Sequence, residues 1–165
     1  MNCSVGKKPD AAWIDELARR LRDTPFAPAD RTLVYGLKEM SIAGTLCLDR
    51  PDVEGIFAAA LANPTATASV KAVIHSWHAD YLTLSARDLP AAQTELDLSL
   101  VIAPNESSNR LKRAQLAYLQ GRWAEAAGML NGLRDVPLSR SERATMTELA
   151  TCLDARDTSV TCVGR

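Results

Sequence analysis

An all-α fold is predicted by three features of the chain. Apolar residues recur at helical spacing almost from end to end. The apolar supply is dominated by 26 Ala and 21 Leu against eight Phe, Trp and Tyr, a balance that favours helices over strands. No segment alternates with period two for long enough to build a sheet. With 165 residues, 47% apolar and 24% charged, the chain is long enough to bury the core of one domain and sits far from the composition of disorder.

The first helix carries Trp13, Leu17 and Leu21 four apart, with Asp10 placed to cap it and Pro28 closing the connection that follows. The second runs from about Asp30 to Leu46 through Leu33, Val34, Leu37 and Met40. In the third, Val53, Ile56, Phe57, Ala60 and Leu61 follow i, i+3, i+4, i+7, i+8 behind Asp49 and Pro51, and Pro64 ends it. The fourth spans Thr67 to Ser85. Asp88 and Pro90 open a fifth at Leu89, which closes at Ile102 before Pro104. The sixth covers Ser107 to Leu119 and stops at Gly121, a position suited to left-handed backbone. The seventh runs from Trp123 to Leu133. Ser139 and Glu142 form a capping box for the eighth, which continues through Ala144, Met146, Leu149 and Leu153. Connections this short predict antiparallel neighbours.

Net charge of -1, from 19 basic and 20 acidic residues, gives no electrostatic footprint for nucleic acid as a partner. The longest uncharged run, Gly55 to Val70, is broken by Pro64 and padded with Thr and Ser, so direct membrane insertion is not expected. The opening residues show no signal-peptide pattern, since Lys7 and Lys8 lead into Pro9 and Asp10. Neither a GxSxG elbow nor a phosphate-binding GxxxxGK[ST] or GxGxxG is present, so no catalytic residue and no cofactor is expected. His75 and His78 stand three apart, but without HExxH spacing or a cysteine pair they do not make a metal site; the expected role is one ring packed on Trp77 or Tyr81 and the other solvated. Arg110, Lys112, Arg113 and Arg122 gather around the sixth helix, where they could steer an acidic peptide or an anionic glycan.

Internal repetition points to a function. Leu89-Pro90-Ala91-Ala92 aligns with Trp123-Ala124-Glu125-Ala126, and the last alanines fall 34 residues apart. The segment from Ser107 to Pro137 resembles a tetratricopeptide repeat, with Ala114, Tyr118, Gly121, Trp123, Ala126 and Pro137 in the family's positions. Ala79, Tyr81, Leu89, Ala92 and Pro104 give the preceding unit a looser likeness, with one extra residue in its first helix and Arg87 where the family prefers Gly. Small residues at Ala79, Ala92, Ala114 and Ala126 would let paired helices cross closely, while Trp123 and Leu130 fill the groove between repeats.

The resemblance implies antiparallel helix pairs stacked as a short right-handed α-solenoid in one domain, 1–165. Its parts are N-terminal helices at 1–64, repeats at 65–104 and 105–137, a capping helix at 138–154 and a tail at 155–165. It also implies a concave groove that binds a protein or peptide without chemistry, presenting Ser76, Asp80, Thr83 and Leu84 from the fourth helix. The sixth would present Ser108, Leu111, Gln115, Tyr118 and Leu119. A second resemblance runs through Ala59 to Pro64, His75 to Leu82 and the fifth helix, which look like the soluble tails of bacterial O-antigen ligase, polymerase or pilin glycosyltransferase membrane proteins. That likeness implies an exported accessory domain of an envelope glycan-transferring enzyme, touching a glycan or its acceptor protein.

Cys3, Cys47, Cys152 and Cys162 are an even set without a CxxC pair, and they allow two disulfides in three pairings. An antiparallel first pair of helices would bring Cys3 to Cys47, and the end of the eighth helix would bring Cys152 to Cys162, each within the roughly 7 Å that a bridge requires. Oxidised cysteines favour a periplasmic or otherwise exported location; small buried thiols are the alternative, and they fit the cytoplasm.

Overall fold

A computed structural model describes residues 8–155. Among them the backbone forms eight α-helices, one π-helical turn and no β-strand. The chain divides into two compact units, Met1–Arg87 and Asp88–Arg165. The boundary falls inside the 65–104 stretch expected to form one repeat.

The first unit holds α1 (Ala11–Asp23), α2 (Pro28–Ile42), α3 (Arg50–Ala62), α4 (Ala68–Tyr81) and the π-helical turn Leu82–Ala86. The α1 helix packs on α3, and α2 packs on both α3 and α4. Asp10 caps α1 by accepting the Ala12 N–H at 3.1 Å. The buried stripe of α1 is Ile14, Leu17 and Leu21, and Trp13 is 46% exposed. Spacing of i, i+3, i+7 follows the 3.6-residue turn more closely than two steps of four, which rotates Trp13 out of the core.

The α2 helix begins and ends two to four residues before the expected bounds. Pro28 fills a first-turn position where its missing N–H costs nothing, and Asp30 accepts the Ala27 N–H at 2.9 Å. At the other end Gly44 takes φ +68°, and the Thr45 and Leu46 amides both fold back on the Met40 carbonyl. The fourth helix is α-helical only to Tyr81, after which the π turn carries it to Ala86. Thr83 Oγ1 donates to the Ala79 carbonyl at 2.8 Å, a back-bond of the kind that bends helices. Arg87 closes the turn at φ 56°, so the position where glycine was expected does require left-handed backbone.

The second unit holds α5 (Leu89–Ile102), α6 (Ser107–Leu119), α7 (Trp123–Asn131) and α8 (Arg140–Ala155). The α6 helix is its centre, packed on α5, α7 and α8. Ala114 and Ala117 of α6 and Ala126 of α7 have no exposed surface, and Leu111, Tyr118, Leu130 and Leu149 close the core around them. Ala79 of α4 and Ala92 of α5 are buried as expected. Gly121 takes φ +74° after α6, and Asp88 caps α5 through the Ala91 N–H at 3.1 Å. Trp123 is 37% exposed, so Leu130 is buried here without it.

Candidate functional site

The residues expected to line a concave groove fall on both units. In the first, Ser76 is buried and Asp80 is half-buried, its Oδ2 lying 3.5 Å from Lys38 Nζ across α2 and α4. Lys38 is itself buried, also pairs with Glu39, and sits 4.6 Å over the Tyr35 ring; Tyr35 meets Trp77 edge-on at 5.2 Å. Thr83 belongs to the π turn, and Leu84 is exposed.

In the second unit Leu111 and Tyr118 are core residues and Leu119 packs against the same cluster. Ser108 hydrogen-bonds Glu106 at 3.1 Å, and Gln115 is half-buried. Helical geometry explains this placement. Leu111 and Tyr118 lie three residues before and four after Ala114, so they share the face that Ala114 closes against the neighbouring helices.

The basic cluster is largely compensated. Arg113 Nε donates to Asp97 Oδ1 at 2.9 Å, and Arg122 Nη1 donates to Glu125 Oε2 at 2.6 Å. Arg110 Nη2 donates to the Gly132 carbonyl at 3.1 Å. Beside these groups a groove of about 480 Å³ opens between α5, α6 and α7, lined by Leu100, Arg110, Arg113, Glu125, Gly128, Met129 and Gly132. A second, of about 420 Å³, runs between α7 and α8, with Leu130, Met146, Ala150 and Leu153 as its apolar floor and Asn131, Arg134 and Asp154 on its rim. These surfaces can accept a chain segment through apolar contact and a few directed polar groups.

His78 is buried, its ring stacked on Phe57 at 4.6 Å with Nε2 2.8 Å from Glu54 Oε2. The packing partner is thus Phe57 of α3 in place of Trp77 or Tyr81. Tyr81 lies nearby with its hydroxyl buried and without a hydrogen-bond partner, and burial, with the Glu54 carboxylate second, raises its pKa above the usual tyrosine value. No group of three or more His, Cys, Asp or Glu side chains that could hold a metal occurs among the described residues. None of the described helices is long and apolar enough to cross a membrane.

Cys47 and Cys152 are both disulfide-bonded, and none of the described cysteines is a free thiol. The expected pairings each place one sulfur, on Cys3 or Cys162, outside the described residues.

Sequence reasoning missed Asn63. It is fully buried and donates to the Leu21 and Thr24 carbonyls at 2.7 and 2.6 Å, while its Oδ1 accepts both the Thr65 N–H and hydroxyl. An Asn-Pro pair at a helix end was the available signal. The groove of α5, α6 and α7 was missed as well. The chain matches no protein-family model, no curated protein and no solved structure.

Proposed function

We propose that the chain is a non-catalytic helical interaction module that holds a partner protein or peptide in a groove between its helices. The groove of α5, α6 and α7 carries this reading, because apolar walls from Leu100 and Met129 stand beside the guanidinium groups of Arg110 and Arg113. Its finer form is the short right-handed solenoid of tetratricopeptide-like pairs, with α8 as the cap. Ala114 and Ala126, buried where α6 meets α7, and the left-handed Gly121 support that form. Selection of a displayed random-peptide library on the immobilised chain is the test. An enriched sequence that also binds in solution supports the reading, and the absence of any enrichment overturns it.

The bonded cysteines favour a second reading, an exported accessory domain of an envelope glycan-transferring membrane protein, since disulfides persist in oxidising compartments. Non-reducing peptide mapping of the chain from such a compartment should recover Cys3 with Cys47 and Cys152 with Cys162. Four free thiols there would remove the support for export.

A further inference from the structure

We propose that the groove of α5, α6 and α7 takes an extended peptide segment of a partner protein through an acidic side chain. Arg110 and Arg113 supply the donors, and Gly128 is the point of closest approach. The proposal rests on the interaction-module reading and gives it a site and a ligand class.

The charges in the groove do not balance. Arg110 has no carboxylate partner among the described residues; its guanidinium donates to the neutral Gly132 carbonyl. Arg113 spends Nε on Asp97, and its Nη1, buried, makes no hydrogen bond and stands 3.7 Å from Glu125 Oε1. Glu125 is drawn instead to Arg122 at 2.6 Å. Arg110, Arg113 and Arg122 therefore stand against two carboxylates, Asp97 and Glu125, and Arg110 is the guanidinium left over. An incoming carboxylate would find donors in a planar geometry that suits it.

Gly128 lines the same groove. It lies inside α7, where glycine weakens a helix relative to alanine, and its backbone is not left-handed. A Cβ built there would meet nothing within 4 Å. Gly128 thus leaves open space in the lining of the groove, where a bound segment can approach the α7 backbone and where a larger side chain would block it. Leu100 and Met129 give that peptide apolar walls. The lining includes no aromatic ring on which a sugar could stack, which favours a peptide over an anionic glycan.

Fluorescence polarisation with a short capped peptide carrying one Glu between leucines, and with its Gln counterpart, tests the proposal on the full chain. The Glu peptide should bind at least about tenfold more tightly, by the strength of a charge-assisted hydrogen bond. Arg110→Gln should remove most of that difference and leave the Gln peptide unchanged. Gly128→Leu should abolish binding while circular dichroism shows undiminished helicity. Gly36→Leu in α2, where a Cβ also meets nothing, should leave binding intact.

If the Glu peptide binds with its affinity unaltered by Arg110→Gln and Gly128→Leu, the groove is not the site. Library peptides that bind while the Glu peptide does not would overturn the groove proposal and spare the module reading. If neither the Glu peptide nor any library peptide binds, both fall. Preferential binding of an oligogalacturonate, lost on Arg110→Gln, would replace the peptide by a glycan.

Discussion

Asn63 uses one amide to finish two chain segments: its Nδ2 holds the last carbonyls around the end of α1, and its Oδ1 orders the turn that follows α3. Asn63→Ala leaves the Leu21 and Thr24 carbonyls without that donor, and stability should fall by about 2–4 kcal/mol in chemical denaturation. Tyr81 is the opposite case. Its hydroxyl is buried and makes no hydrogen bond, so Tyr81→Phe removes a polar group that gains nothing by folding. That substitution should raise stability by about 1 kcal/mol, and a lowered thermal midpoint would show that the hydroxyl has a partner. The Asn-Pro pair marks a helix end, but the partners of neither residue's polar atoms were legible in the sequence. Hydrophobic spacing locates a helix face but carries no information on which buried polar atom finds a partner across tens of residues. The same limit explains Leu111 and Tyr118, whose face was read correctly as helical and wrongly as open.

Helix ends were the most legible part of the chain. The bounds of α5 and α6 follow from Asp88, Pro90, Pro104 and Gly121, because each residue acts on backbone within one turn of itself. The eighth helix shows how a local signal gains a tertiary partner. Ser139 N–H donates to Glu142 Oε2 at 2.7 Å as the capping box predicts, and the Ser107 hydroxyl at the start of α6 donates to Oε1 at 2.6 Å. Ser107 first, and Ser139 after it, hold the Glu142 pKa below the usual glutamate range. A lowered folded pKa means that the unfolded chain binds the proton more readily. The contribution is complete above about pH 4.3, where free glutamate titrates, and is lost as pH falls through the lowered value. The stability gap between wild type and Glu142→Gln should therefore be constant near neutrality and close under acid, as read from denaturation midpoints across that range.

Each of the two units carries its own buried set, and the second is built around small residues. Ala126 has no exposed surface between α6 and α7, so Ala126→Leu should destabilise the chain by about 1–3 kcal/mol through overpacking. An unchanged melting temperature would mean that α6 and α7 are not in close contact at that residue. Asp88–Arg165 contains the cluster of Leu111, Ala114, Leu130, Leu133, Leu149 and Cys152 within itself. Expressed alone, it should keep a cooperative thermal transition, which calorimetry would read directly. The sequence shows the helices of both units but not the boundary at Arg87, because a boundary is set by which helices share a core and each helix is amphipathic either way.

The π-helical turn bears on how the length of this chain can change over time. Leu82–Ala86 winds more residues into a turn than an α-helix would, at the place where the aligned pattern counts one residue too many. Loss of one codon between Thr83 and Ser85 would let the helix rewind to the α form while Tyr81 and Leu82, the buried residues before it, keep their place. Elsewhere in a helix the same deletion turns every later side chain by about 100° and carries the apolar face out of the core. The surplus residue makes this turn, at the end of α4, the point where a descendant sequence can shorten without refolding the unit.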